Sequence, residues 1–244
     1  MKIVRIILRR ELASYFATPL ALVVIVFFLV LANVLTLSFG SLFERGQADL
    51  NPFFTFLPWL YLLLCPAVSM RLWAEERRNG TVELLLTQPV TLWQAVLGKF
   101  FAAWIFVGLA LILTFPLWIS VNYLGKPDNG VILAAYVGSF FFAGGFLAVG
   151  SFTSSATKNQ LIAFLIAFGM CFLLLLAGYP AVTEWFGGWA PQWLVAGVAS
   201  LSFLTHFENI AKGLLDLRDV LYFSLVTVFF LLASAVVLEA VKSK

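Results

Sequence analysis

The run Leu20–Phe43 reads LALVVIVFFLVLANVLTLSFGSLF and carries no Asp, Glu, Lys or Arg. About 20 mostly apolar residues in a helix cross the hydrocarbon core of a bilayer, so this stretch is long enough to span one. It also outruns the roughly 7–15 apolar residues of a signal-peptide core, which predicts a retained span rather than a cleaved leader. Further charge-free stretches follow at Leu50–Met70, Phe100–Gly125, Asn129–Thr157, Asn159–Thr183, Trp185–Phe207 and Val220–Leu238. Of the 244 residues, 62% are hydrophobic, 16% aromatic and 11% charged, and the mean hydropathy is +1.01. A water-facing surface needs about 25% charged residues. The composition therefore excludes a soluble domain and predicts an integral membrane protein.

The predicted fold is one all-α transmembrane domain, 1–244, with spans at about 20–42, 52–72, 95–122, 131–153, 160–178 and 219–240. The stretch Trp185–Phe207 is set apart because it holds Gly187, Gly188, Pro191 and the tryptophans 185, 189 and 193. Its clean apolar part, Leu194–Leu204, reaches only about half a bilayer at 1.5 Å per residue. The segment 185–218 is accordingly predicted as short re-entrant or interfacial helices before the sixth span. Residues 1–18 alternate Lys2, Arg5 and Arg9 with Ile3, Ile6, Ile7 and Tyr15. That pattern predicts an amphipathic interface helix, with Pro19 at the elbow into the first span.

Six spans with both termini inside place Lys2, Arg5, Arg9, Arg10, Arg71, Arg77, Arg78, Lys99, Lys158, Lys242 and Lys244 in the cytoplasm. Only Arg45, Lys126, Lys212 and Arg218 then lie outside. The positive-inside rule therefore predicts cytoplasmic termini. Seven spans would leave the count tied, so span length and Gly/Pro content favour six.

No metal-binding cluster, nucleophile elbow or phosphate loop is present. Gly98-Lys99 lacks the Ser or Thr that would follow, since residue 100 is Phe. Cys65 and Cys171 sit singly in apolar runs, and the lone His206 is expected to be structural. The net charge of +3 sets topology and does not point to nucleic acid. The spans are expected to hold no carboxylate, Lys or Arg, only neutral polar groups such as Asn33, Thr36, Ser120 and Asn122. An ion-coupled carrier keeps an intramembrane ionisable group, so a solute path here calls for an external drive.

The longest inner connection is Arg71–Gln94. Asn79-Gly80 breaks it, Thr81 can cap a short helix that Pro89 ends, and Thr91 with Gln94 forms a capping box for the third span. Glu75-Glu76-x-x-x-Gly80-Thr81-x-Glu83-Leu84-Leu85-Leu86-Thr87-x-Pro89-Val90 resembles the loop of ABC type-2 permeases, above all the GldF and NosY subgroup of gliding motility and copper maturation. The stretch His206-Phe207 … Gly213 … Asp216-x-Arg218-Asp219-x-x-Tyr222 is similar to the segment before the last span of that subgroup.

The resemblance implies a membrane subunit, not itself an enzyme, paired with a second copy or a related permease. Two cytoplasmic ATPase subunits would bind the ATP and magnesium. It further implies a bacterial inner-membrane location and, in some members, an extracytoplasmic or membrane auxiliary protein of the GldG kind. Carried onto this sequence, 80–89 is the coupling helix. Its ATPase-docking residues are Glu75, Glu76, Gly80, Thr81, Val82, Glu83, Leu84, Leu85, Leu86 and Pro89. Lys212, Gly213, Asp216, Arg218 and Asp219, with His206 and Phe207, belong to the outer segment, whose charges are expected to be solvated. Ser139, Ala143, Gly144 and Ala148 offer a small-residue face for close helix packing. Two other functions compete: a lipid-modifying membrane enzyme using Glu75, Glu76 and Glu83, and a self-contained secondary carrier.

Overall fold

A computed structural model of the chain describes residues 2–81, 90–187, 191–214 and 216–242. All regular elements among them are helical. In chain order they are α1 (Lys2–Ala17), α2 (Pro19–Val34) continued by a π-helical turn (Leu35–Phe39), α3 (Asn51–Ser69) and α4 (Ala74–Asn79). There follow α5 (Leu92–Ile112), α6 (Phe115–Leu124), α7 (Asn129–Ala156), α8 (Gln160–Leu176), α9 (Pro180–Gly187), α10 (Gln192–Ser200), α11 (Phe203–Ala211) and α12 (Leu217–Lys242).

Among the described residues, Ala21–Phe39, Asn51–Asn79, Leu92–Leu124, Asn129–Ala156 and Leu217–Ala240 are long and apolar enough to cross a membrane. The predicted fifth span is α8, an apolar helix of 17 residues, at the short end of the crossing range. The chain is an all-α integral membrane protein.

Boundaries follow local chemistry. Thr18 is extended and Pro19 opens α2 at its first turn, so the elbow falls between α1 and α2. Thr91 and Gln94 close the reciprocal capping box at α5: the Gln94 N–H donates to Thr91 Oγ1 at 3.4 Å and the Thr91 N–H to Gln94 Oε1 at 3.1 Å. The predicted third span breaks at Thr114, with Pro116 opening α6. The Thr114 hydroxyl there donates to the Leu111 carbonyl at 2.6 Å and lies 2.9 Å from the Tyr136 hydroxyl.

The core is built around α7, against which α3, α5, α8, α11 and α12 all pack. Small residues make this possible. A Cβ on Gly150 would lie 1.8 Å from Ser69 Oγ, one on Gly144 3.1 Å from the Trp104 ring, and one on Gly145 2.6 Å from Phe203. Ser139, Ala143 and Ala148 are fully buried too, so the small-residue face is used inside this chain.

The predicted re-entrant segment is two helices, α10 and α11, meeting at 60°. None of α10 is buried, whereas Phe203, Phe207 and Ile210 of α11 are buried. Phe142, Phe146, Phe203, Phe207 and Phe223 form one aromatic cluster there. Gly145 faces Phe203, Gly138 faces Ile210 and Gly213 faces Val131, so α11 lies along the half of α7 remote from α4.

Candidate functional site: a charged elbow

Helices α1, α4 and α5 meet with the end of α3 around a cleft of about 600 Å³. Its walls include Arg10, Glu11 and Tyr15 of α1, Arg71 after α3, Glu75 and Glu76 of α4, and Lys99 of α5. The centre is Lys99, 3% exposed, whose ammonium lies 2.9 Å from Glu76 Oε1 and 3.3 Å from Glu11 Oε1. The Trp73 ring stands 5.3 Å from the same nitrogen.

The expectation that the spans lack ionisable groups is therefore corrected, since α5 carries a buried lysine within its apolar length. A buried ammonium is held only where carboxylates compensate it, and here two do, one from each side. Arg10 reaches Glu11 at 2.8 Å, so the row Arg10–Glu11–Lys99–Glu76 balances in charge. Burial pushes the Glu11 carboxyl up, but Lys99 and Arg10 outweigh it and hold it below its ordinary 4.5. The other oxygen of Glu76 is buried with no hydrogen-bond partner.

Serines of α7 fix the same elbow. Ser154 Oγ accepts the N–H groups of Trp73 and Ala74, each at 3.0 Å, and donates to the Met70 carbonyl at 2.9 Å. One hydroxyl thus satisfies the end of α3 and the start of α4 together. The Trp73 indole N–H reaches Ser151 at 3.3 Å, and Arg77 bonds the Ser155 carbonyl. Glu75 accepts from Gln160 of α8 at 3.2 Å and lies 3.6 Å from Arg71. Gly80 then ends α4 with φ +69, a left-handed cap that suits glycine.

Among the sequence-predicted docking residues, Glu75 and Glu76 thus face the bundle as anchors of α4. Gly80 is its cap, and the Thr81 hydroxyl donates back to the Glu76 carbonyl at 3.3 Å. Val82, Glu83, Leu84, Leu85, Leu86 and Pro89 lie outside the described residues. Sequence reasoning missed Glu11, Trp73, Ser151 and Ser154, and it read Lys99 as a topology marker and a rejected phosphate-loop lysine, not as the centre of an ion cluster. The available signal was an acid inside a basic helix and a lysine inside an apolar run.

At the other end, Asp219 is 3% exposed and pairs with His206 at 2.5 Å, which corrects the expectation of a solvated charge at that one residue, while Lys212, Asp216 and Arg218 are exposed. Phe207 is buried in the aromatic cluster, and Gly213 has φ +84 against Val131. Asp216 accepts the Arg218 N–H at 3.1 Å as a turn cap, and Lys212 caps α11 through its backbone.

No group of three or more His, Cys, Asp or Glu able to hold a metal occurs among the described residues. The elbow's carboxylates face cations and amides, except Glu76 Oε2, which is buried without a hydrogen-bond partner. Through these contacts α4, up to its Gly80 cap, is fastened to α1, α5, α7 and α8.

Comparison with known proteins agrees in class. The curated relatives include the "Probable multidrug ABC transporter permease YbhS" of Escherichia coli strain K12, 28% identical over 165 residues. The protein of the same name from Escherichia coli O157:H7 matches equally. The match covers 67% of this chain and 42% of each relative, so the chain spans less than half of their length in the aligned region. The profile of the CcmB protein family matches residues 2–140, more than half of the chain, and takes in α1, α4 and the buried lysine of α5. The chain belongs to the CcmB family, and its long apolar helices make it a multi-pass membrane protein.

Proposed function

We propose that this chain is the membrane-spanning subunit of an ATP-driven type-2 exporter of a bacterial inner membrane. A separate cytoplasmic ATPase would bind the 80–89 loop. The observation that carries the reading is the elbow. A force applied beyond Gly80 reaches α4, and α4 is tied to α5 and α1 through Lys99, to α7 through Ser154 and to α8 through Gln160. A short helix so fastened moves with the bundle rather than bending away from it. ATP and magnesium would reside in the partner. The loop's likeness to GldF and NosY extends the reading to that subgroup, with a second permease copy and an auxiliary protein as further partners.

The test is to tag the chain, extract it from its host in mild detergent and identify what co-purifies. A Walker-box ATPase in a one-to-one ratio is the expected result. A chain that purifies alone, with crosslinking as well as without, overturns the reading.

A further inference from the structure

The outer pair His206–Asp219 is not needed for the coupling described above, and its geometry constrains where a proton sits. His206 Nε2 lies 3.2 Å from the Ser200 carbonyl at the end of α10. A carbonyl only accepts, so Nε2 makes this bond only as N–H. His206 Nδ1 lies 2.5 Å from Asp219 Oδ1 at the start of α12. With Nε2–H committed to Ser200, that contact too requires a hydrogen between nitrogen and oxygen. The ring is then an imidazolium beside a carboxylate, or neutral beside a carboxylic acid. In either form the pair holds one proton more than a neutral histidine and an ionised aspartate.

Other features agree. Asp219 Oδ2 is buried and unpartnered, so this carboxyl has His206 as its cationic partner or none among the described residues. The imidazole stacks on Tyr222 at 4.1 Å, and the Tyr222 hydroxyl donates to the Leu201 carbonyl at 2.5 Å. Ser200 and Leu201 end the nine-residue α10, where the helix dipole is negative and favours a cation. The helices packed on α11 bring few other titratable groups. None of α3, α7 and α8 contains an Asp, Glu, Lys, Arg or His; they contribute only Tyr61, Tyr136, Cys65 and Cys171. On α11 itself stands Glu208, and on α12 stand Arg218, Glu239 and Lys242 beside the pair's own Asp219 and Tyr222.

We propose that His206 and Asp219 form a proton-binding site that latches α10 onto α12 at the end of the bundle remote from the elbow. With the proton bound, one ring bridges α10, α11 and α12. Without it, the surviving tautomer keeps Nδ1–H on Asp219 and turns a lone pair toward the Ser200 carbonyl. That contact becomes repulsive, and α10, which buries no side chain of its own, is left with Tyr222 as its link to α12.

His206 is the sole histidine of the chain, so its ring signals are unambiguous. The protein labelled with ¹⁵N-histidine, in lipid nanodiscs, is titrated from pH 5 to 9. In parallel, spin labels replace the exposed Trp193 of α10 and Leu221 of α12. The expected result is a narrow label distance while both ring nitrogens carry hydrogen, broadening with the same midpoint as the ring loses one. His206→Gln should give one distribution at every pH. A distance that ignores the ring's titration, or a ring that keeps one protonation state throughout while α10 stays in place, overturns the proposal. Both readouts are made on the native pair, so the test stands even where a variant fails to fold.

Discussion

Lys99 shows how one residue organises a membrane end. Its ammonium is buried between Glu11 and Glu76, so Lys99→Met leaves Glu76 without its cation and Glu11 with Arg10 alone. Breaking one side of a buried ion cluster costs about 3–5 kcal/mol, and the unfolding midpoint of the detergent-solubilised protein should fall accordingly. Adding Glu76→Gln should recover a large part, because Glu11 still has Arg10. A second expectation concerns pH. Glu11 titrates below its ordinary 4.5 in the fold, so the stability it adds is complete above that value and disappears as pH drops through the lower, folded one. Acid unfolding should therefore lose part of its pH slope below about 4.5 in Glu11→Gln. Neither role was readable from the chain. Lys99, Glu11 and Glu76 lie on separate helices; charge counting used Lys99 as a marker of topology, the resemblance assigned Glu76 to docking, and Glu11 drew no reading. The Thr91–Gln94 box, by contrast, was readable because its partners are three residues apart.

At the scale of elements, helix contacts are set by what is missing from side chains. Gly150 of α7 meets Ser69 of α3 so closely that a Cβ would fall 2.6 Å from Ser69 Cβ and 1.8 Å from its Oγ. Gly150→Ala must push the two helices apart, an overpacking cost of about 1–3 kcal/mol. Ser69→Gly in the same chain removes both clashing atoms and should restore most of the loss in a thermal unfolding series. An undiminished loss in the double variant would place the strain elsewhere. Hydropathy located these helices because lipid demands long apolar runs, and Pro19 and Gly80 marked breaks that backbone chemistry enforces, whereas the break at Pro116 went unread inside an unbroken apolar run. It could not say that α11 inserts between its neighbours while α10 stays exposed. Both are short and apolar, and the difference lies in Phe203, Phe207 and Ile210 meeting Gly145, Phe142 and Gly138. Those pairings are long-range and leave no local periodicity.

For the whole molecule, the proposed drive separates two functions that are adjacent in sequence. Docking would belong to 82–89, and transmission to the elbow that roots it. Leu85→Asp places a charge on the docking loop only, so the chain should keep its unfolding midpoint while the ATPase no longer co-purifies. Ser154→Ala acts on the other side of Gly80. It removes the acceptor of the Trp73 and Ala74 N–H groups and the donor to Met70, loosening α4 from α7 without touching the loop. The ATPase should then still co-purify and hydrolyse ATP. The measurement is hydrogen exchange along α7 with and without trapped nucleotide. In the native complex the ATP state should change protection in α7, and in Ser154→Ala that response should shrink while the α4 amides exchange faster. An α7 response of native size in Ser154→Ala would mean that force enters the bundle through Lys99 and α5 alone. Loss of the ATPase instead would mean that the elbow is part of the docking surface, as the placement of Glu75 and Glu76 in the resembling loop implies.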